Sequence, residues 1–250
     1  MGYERMGHNP AHTVTWGFIM ISTVFRYAAV LTVLSMVLSV DARGNDAVIQ
    51  LPAPTFESDY SLEEAIFSRR SVRSYTADSV ALEDLAQLLW ACQGITSPRG
   101  YRAAPSAGAL YPLEVYVVAE RVKDLPQGLY HYQPGQDIGN HSIELIDPEV
   151  SLQDVANAAL GQKCIQTSAC SFIITGVVEL TRKKYGERAR QYVLLEAGHA
   201  GQNLCLQAQT LELGAVTVGA FHEEPLRRLL GVDHLPIYVL SVGIPDHGSR

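Results

Sequence analysis

Residues 184–208 read KYGERARQYVLLEAGHAGQNLCLQA, and their spacing decides the fold class. Val193, Ala197, Ala200, Leu204, Ala208 and Leu211 recur at steps of three and four, the mark of one apolar helical face. The pattern predicts a single long helix from about Lys183 to Leu213. Strand signals surround it. Val115–Ala119 is β-branched, Gly128–Tyr132 is aromatic, and Pro134-Gly135 turns the chain into the alternating run His141–Ile146. Ser171–Val178 is apolar enough for a central strand, and Ile237–Val242 reads as a last one. Shorter helices are expected after the capping box Ser61-Leu62-Glu63-Glu64, over Leu82–Gln93, over Ser151–Leu160, and over Glu223–Leu230 before Gly231. Strands and helices mix without regular βαβ alternation, so the class is α+β rather than doubly wound.

The 250-residue chain is 47% hydrophobic, enough for one sizeable core, and its composition excludes disorder and collagen-like repeats. Nineteen Lys+Arg against 26 Asp+Glu give a formal charge of −7, and no basic run exceeds Arg182-Lys183-Lys184. A nucleic-acid partner therefore has little support. The apolar residues crowd toward the front. Tyr27–Val40 (YAAVLTVLSMVLSV) carries no charge, Arg26 precedes it, and Val40-Asp41-Ala42 offers small residues where a signal peptidase cuts. Residues 1–42 read as a signal peptide or, if Arg26 is tolerated within a span, a membrane anchor, with Met20 as a second candidate start. The chain would then be exported to the periplasm or outside the cell, or anchored; without such a segment it would be cytoplasmic. Residues 43–60, with Pro52 and Pro54, read as an extended linker, and residues 61–250 as the folded domain. Cys92, Cys164, Cys170 and Cys205 form no CxxC and no Cys/His metal spacing, so no metal site is expected. Cys164 and Cys170 could pair.

Three segments hold residue types suited to chemistry. Arg69-Arg70-Ser71-Val72-Arg73 offers three guanidiniums and a hydroxyl that could grip a phosphate. Basic residues at a helix end also complement the macrodipole, so the segment alone supports either reading. Ala104-Pro105-Ser106-Ala107-Gly108-Ala109 and Gly214-Ala215-Val216-Thr217-Val218-Gly219-Ala220-Phe221 are runs of small residues that would let a flat ligand approach the backbone. Neither is GxGxxG and no P-loop exists, so the common nucleotide fingerprints are missing.

Taken together, RRSVRSY, APSAGALYP before a strand, the KYGERARQYVLLEAGHAGQNLCLQA helix and GAVTVGAF resemble the flavin-dependent nitroreductase superfamily. The likeness is greatest to its SagB/ThcOx-type dehydrogenase branch and covers roughly Ser61 to Pro245. It implies an α+β sandwich forming an intertwined homodimer with FMN at the interface. Arg69, Arg70, Ser71 and Arg73 fall where the family holds the FMN phosphate, ribityl chain and one ring edge. Pro105, Ser106, Ala107 and Gly108 match the loop that approaches the flavin from the partner subunit. Val218, Gly219 and Ala220 match the segment beside the reactive edge of the ring. A basic residue near the family's C-terminus also reaches the phosphate; here only Arg250 is available. Lys184 and Tyr185 match a Lys-Tyr dyad that removes a proton from the azoline ring in the peptide-oxidising members, although a solvated basic helix start has the same composition.

The resemblance implies an FMN-dependent oxidoreductase that moves hydride through flavin N5 in two half-reactions sharing one pocket, hence ping-pong kinetics. A nitroreductase or quinone reductase would take hydride from NAD(P)H; an azoline dehydrogenase would take it from a thiazoline or oxazoline in a modified peptide. A flavin-binding protein without turnover is the reading from another class. Glu196 and His199 fall in the apolar middle of the long helix, where a structural Glu–Arg pair is the ordinary expectation.

Overall fold

In the computed structural model, which describes residues 48–248, seven strands form one antiparallel sheet. They are β1 (Val48–Gln50), β2 (Leu113–Ala119), β3 (Gly128–Gln133), β4 (Ser142–Asp147), β5 (Cys170–Gly176), β6 (Gly214–Val218) and β7 (Leu235–Gly243). Their spatial order is β1-β4-β3-β2-β5-β7-β6. The expected leader and Arg250 lie outside the described residues. Among the described residues no helix is long and apolar enough to cross a membrane.

Both faces of the sheet are covered, which is why its central strands read as almost continuous apolar runs. Along β2, Val115 and Val117 face one layer while Tyr116 and Val118 face the other, as the two-residue strand period requires. The first layer holds α2 (Leu82–Gln93) and α6 (Ala189–Thr210), through Leu85, Leu88, Leu89, Val193, Ala197, Ala200, Leu204 and Ala208. The second holds α3 (Leu152–Ala158), α4 (Lys163–Gln166) and α7 (Glu223–Leu230), through Leu152, Val155, Ile165, Leu226 and Leu230. Tyr130 and Tyr132 are fully buried sheet residues. All four cysteines are buried and free, so Cys164 and Cys170 do not pair.

Two expectations change. The long helix is divided: α5 (Val178–Tyr185) ends at Gly186, whose φ of 54° and ψ of −131° leave the helical region, and a 3-10 turn over Gly186–Arg188 precedes α6. A glycine reaches that conformation without steric cost, so the apolar period continues in sequence while the axis does not. Lys184 and Tyr185 therefore close one helix instead of opening the next. Part of the stretch read as linker is also docked. Val48–Gln50 pairs with β4, and His141 Nε2 lies 2.9 Å from the Pro52 carbonyl while its Nδ1 lies 2.9 Å from Tyr132 Oη. Burial holds the His141 pKa below its ordinary value, which suits a neutral ring donating at Nε2 and accepting at Nδ1.

At the opposite edge, α1 (Leu62–Ser68) starts at its capping box: Glu64 N–H donates to Ser61 Oγ, and Ser61 N–H to Glu64 Oε2. The chain after α1 then runs along β6. Ser71 bridges Ala215, and Val72 N–H donates to the Ala215 carbonyl at 3.0 Å. A methyl group on Gly214 would lie 2.6 Å from Val72 Cγ1, so glycine is what admits this close approach. The buried Tyr75 hydroxyl lies 2.7 Å from the Val72 carbonyl and 3.0 Å from the Ser241 carbonyl, tying the segment to β7. Tyr75→Phe is expected to cost about 1–2 kcal/mol, read as a lower denaturation midpoint with an unchanged slope.

Candidate active site

Arg69 is half-buried at the C-terminal end of α1, and Arg70, Ser71 and Arg73 are exposed beyond it. No ion pair among the described residues involves any of the three arginines. Arg70 folds back on its own helix, where Nη1 donates to the carbonyls of Phe67 and Arg69, so part of its guanidinium does cap the helix. A cleft of about 810 Å³ opens here, lined among others by Arg70, Ser71, Arg73 and Gly214. Two guanidiniums and a hydroxyl on an open cleft, which Glu212 and Asp246 also line, offer donors that suit an anionic headgroup such as a phosphate. Gly214–Val218, read from the sequence only as a small-residue run, is the edge strand beside which the arginines lie. Val218 is buried, while Gly219 and Ala220 are exposed just past the strand end.

The second group is built on the loop between α2 and β2. Within its second half three residues have positive φ: Gly108 (65°), Ala109 (53°) and Tyr111 (48°). For Ala109 and Tyr111 that conformation costs roughly 1–2 kcal/mol each, and contacts must hold it. Ser106 Oγ accepts the Tyr111 N–H at 2.9 Å, and the Ser106 carbonyl accepts the Ala109 N–H at 3.1 Å. Arg102 donates its N–H to Tyr111 Oη at 3.3 Å and sets its guanidinium 5.1 Å from the Tyr111 ring centre. Gly108 then meets α5: a methyl group on it would lie 2.7 Å from Lys184 Nζ and 2.8 Å from Tyr185 Oη. The loop and the Lys-Tyr pair, over seventy residues apart in sequence, are thus in contact. Tyr185 packs edge-on to Tyr192 at 4.9 Å, and Arg188 covers Tyr192 at 5.1 Å.

Behind the loop lies Glu196 on α6, only 2% exposed. It forms no ion pair among the described residues, and its Oε1 has no hydrogen-bond partner there. The structural Glu–Arg pair expected from the sequence is therefore absent. Burial pushes its pKa up to about 7, with the facing Ser106 hydroxyl and then Arg102 drawing it back. His199 on the same helix faces solvent instead of the apolar middle.

The structure thus gathers the sequence-derived candidates into two groups. Arg69–Arg73 lies with Gly214–Ala220; Pro105–Gly108 lies with Lys184 and Tyr185. Within one chain the groups stand at different stations along α6. Glu196 marks one. Cys205 marks the other, 3.6 Å from Thr217 Oγ1 and close enough to Arg69 to feel its charge. At roughly 1.5 Å per residue those stations are about 13 Å apart. Sequence reasoning missed Arg102, Tyr111 and Tyr192, which no motif flags because their roles come from contacts across the fold.

The chain thus carries an antiparallel sheet with helices on both faces, a cleft with Arg70, Ser71 and Arg73 at its edge, and a Lys-Tyr pair against a small-residue loop. The chain belongs to the nitroreductase family, whose profile matches residues 66–244. It is 39% identical over 201 residues to a protein of Methanocaldococcus jannaschii provisionally named a nitroreductase, covering 80% of this chain and 98% of that one. The trifolitoxin operon protein TfxC of Rhizobium leguminosarum bv. trifolii is 22% identical over 197 residues; the match covers 72% of this chain and about half, 54%, of the relative. A crystal structure from Ralstonia eutropha JMP134, also provisionally named a nitroreductase, superposes with a TM-score of 0.68 at 25% identity. It covers 82% of this chain and 93% of that one. The Escherichia coli microcin synthetase McbBCD, solved with truncated pro-MccB17 bound, shares the fold at a TM-score of 0.59 and 20% identity, covering 75% and 74%.

The Glu196 environment has a signed consequence for stability. The fold favours the protonated carboxyl, so the stability it contributes is present at low pH and lost as pH rises through about 7. Glu196→Gln is expected to raise stability near pH 8 by on the order of 1–3 kcal/mol and to leave it nearly unchanged near pH 4.5. Thermal unfolding at both pH values checks this.

Proposed function

We propose that the protein is an FMN-dependent oxidoreductase whose cofactor phosphate is held by Arg69, Ser71 and Arg73, with Arg70 at the rim and Arg250 as a further cation at the chain end. The observation that carries this is the cleft beside β6 lined by Arg70, Ser71 and Arg73, with Arg69 next to them in the chain and none of the three arginines in an ion pair among the described residues. Val218, Gly219 and Ala220 would lie along the ring, where the absence of bulk past the strand end gives a flat ligand access. When bound, FMN supplies the two-electron chemistry that links a donor to an acceptor. Within one chain the Pro105–Gly108 loop and the arginine cleft occupy separate stations along α6. A homodimer in which the loop of one copy faces the cleft of the other would bring them to one cofactor. The exposed Leu194 and Leu195 on α6, with the half-buried Gly198 beside them, suit such a contact.

Donor and acceptor would use the same pocket in turn, giving ping-pong kinetics with NAD(P)H as the donor for nitro or quinone acceptors. A second reading has its own support. Lys184 Nζ and Tyr185 Oη both border Gly108, so an amine and a phenol face the same small-residue loop. Lys184 as base and Tyr185 as proton donor or acceptor would serve removal of a ring proton from a thiazoline or oxazoline in a modified peptide. The SagB-type branch is the relevant one for this reading, and the peptide-bound fold relative accords with it. Residues 1–42, as leader or anchor, would place either activity outside the cytoplasm, with 43–60 leading into the FMN domain over 61–250.

Arg73→Ala is expected to weaken FMN binding about ten- to a hundredfold, the cost of one charge-assisted hydrogen bond, and to purify without yellow colour. Full flavin occupancy in that variant would overturn the phosphate assignment. Anaerobic titration of the wild type with NADH, NADPH and dithionite separates the donors; bleaching by dithionite alone would exclude the nicotinamide reading and favour the peptide one.

A further inference from the structure

A second cavity lies beyond Tyr60 from the arginine cleft, and Tyr60 lines both. It measures about 480 Å³ and opens between residues 55–60, α1, α2 and the C-terminal half of α6. Two of its walls are aromatic. Phe56 meets Trp90 edge-on at 5.4 Å, and the Trp90 indole N–H donates to the Ile95 carbonyl at 3.2 Å, which fixes the ring. A methyl group on Gly94 would strike Trp90 Cδ1, so the glycine makes room for that seat. The segment carrying Phe56 has no regular structure, and the buried Gln87 side chain holds it. Gln87 accepts the Thr55 N–H at 2.9 Å and donates to the Thr55 carbonyl at 3.0 Å and to Gln207 Oε1 at 3.1 Å. Asn203 is the polar edge left over. Its Nδ2 donates once, to the Ala103 carbonyl at 3.3 Å, while its Oδ1 and its second amide hydrogen have no partner among the described residues. Among the residues of the lining, Glu57 alone is charged.

Those features select a ligand. Aromatic walls suit a flat ring, and a lining without a cation disfavours a carboxylate or a phosphate inside the cavity. An amide with one spare acceptor and one spare donor matches the neighbouring amino group and ring nitrogen of an adenine, the pairing that Asn makes with that base elsewhere. A plain hydrocarbon ring would leave the amide unmatched. We propose that this cavity is an adenine site and takes the base of the nicotinamide dinucleotide donor, with the ring face against the Phe56–Trp90 corner and Asn203 on its amino edge. It deepens the nicotinamide reading, on which it rests only for the identity of the donor. Tyr60 is the shared wall, and its Oη lies 2.8 Å from Ser68 Oγ on α1. The base would thus sit on one side of that wall and the guanidiniums of the flavin cleft on the other, so donor and cofactor are bound as neighbours.

The test is calorimetric titration of the full chain with adenosine and with inosine, in which a carbonyl replaces the amino group. Adenosine is expected to bind saturably with a Kd below about 1 mM. Inosine should bind at least about tenfold more weakly, because the Asn203 acceptor then faces another acceptor. Phe56→Ala should weaken adenosine about fivefold or more through lost stacking. Phe56 is exposed, so that variant should keep the wild-type melting temperature. Asn203→Ala should erase the preference for adenosine over inosine. In steady-state assays both variants should raise KM for the dinucleotide donor and leave KM for reduced nicotinamide mononucleotide, which lacks the adenosine half, unchanged. Equal binding of adenosine and inosine, no binding up to about 5 mM, or undiminished binding in Phe56→Ala would overturn the assignment. So would an equal rise in KM for both donors. A shift of Phe56→Ala to a smaller species in gel filtration, with no adenosine heat in the wild type, would give the cavity to a second copy instead. Adenosine binding is read without flavin reduction, so it can fail while Arg73→Ala still loses its colour, and the reverse.

Discussion

The close seat of α6 on the sheet is the constraint on which the rest depends. A 22-residue helix crosses the first layer on a stripe of Val193, Ala197, Ala200, Leu204 and Ala208, all fully buried. Small residues on that stripe bring the helix axis near the strands. At the contact with β5 the fit is tight enough that a methyl group on Gly176 would strike Val193 Cγ1 at 2.4 Å. Interiors packed this closely transmit position. One helix therefore fixes Glu196 behind the loop at one end and Cys205 beneath β6 and Arg69 at the other.

The two candidate groups are held by different means. The arginine segment has no regular structure of its own; it borrows order from β6 through the Val72–Ala215 bond and from β7 through the Tyr75 hydroxyl. Its guanidiniums are left outside that scaffold, which is what a ligand-gripping segment requires. The Ser106–Tyr111 loop instead stores backbone strain and opposes it with side-chain contacts to Ser106 Oγ and Arg102. Strain of this kind persists only where surrounding structure over-determines the conformation, and such places are commonly functional.

Much of this was legible in the sequence. The capping box at Ser61 and Glu64, the apolar stripe of α6 and the β-branched runs of β2 and β5 each depend on a local period or a local bond. The candidate residues Arg69, Ser71 and Arg73 were legible as a cluster, and Lys184 and Tyr185 as a pair. Gly214–Val218 was harder. Its short, small side chains gave it the look of a ligand loop, and only pairing with β7 makes it a strand. The break at Gly186 was hidden because the apolar period runs on past it, although the backbone does not.

The sequence by itself determined the α+β class, the family and the types of side chain available for chemistry, because these follow from spacing along one chain. Only the tertiary structure decided which of them meet. Gly108 reaches Lys184 and Tyr185 across a span of more than seventy residues, and Gly214 gives way to Val72 across more than a hundred. No local pattern encodes such contacts, since they arise from how α5, α6 and β6 settle against the sheet. Glu196 shows the difference most clearly. In sequence it is a charge on an apolar face in want of an arginine; in the fold it is buried with no ion pair among the described residues, and burial pushes its pKa up to about 7.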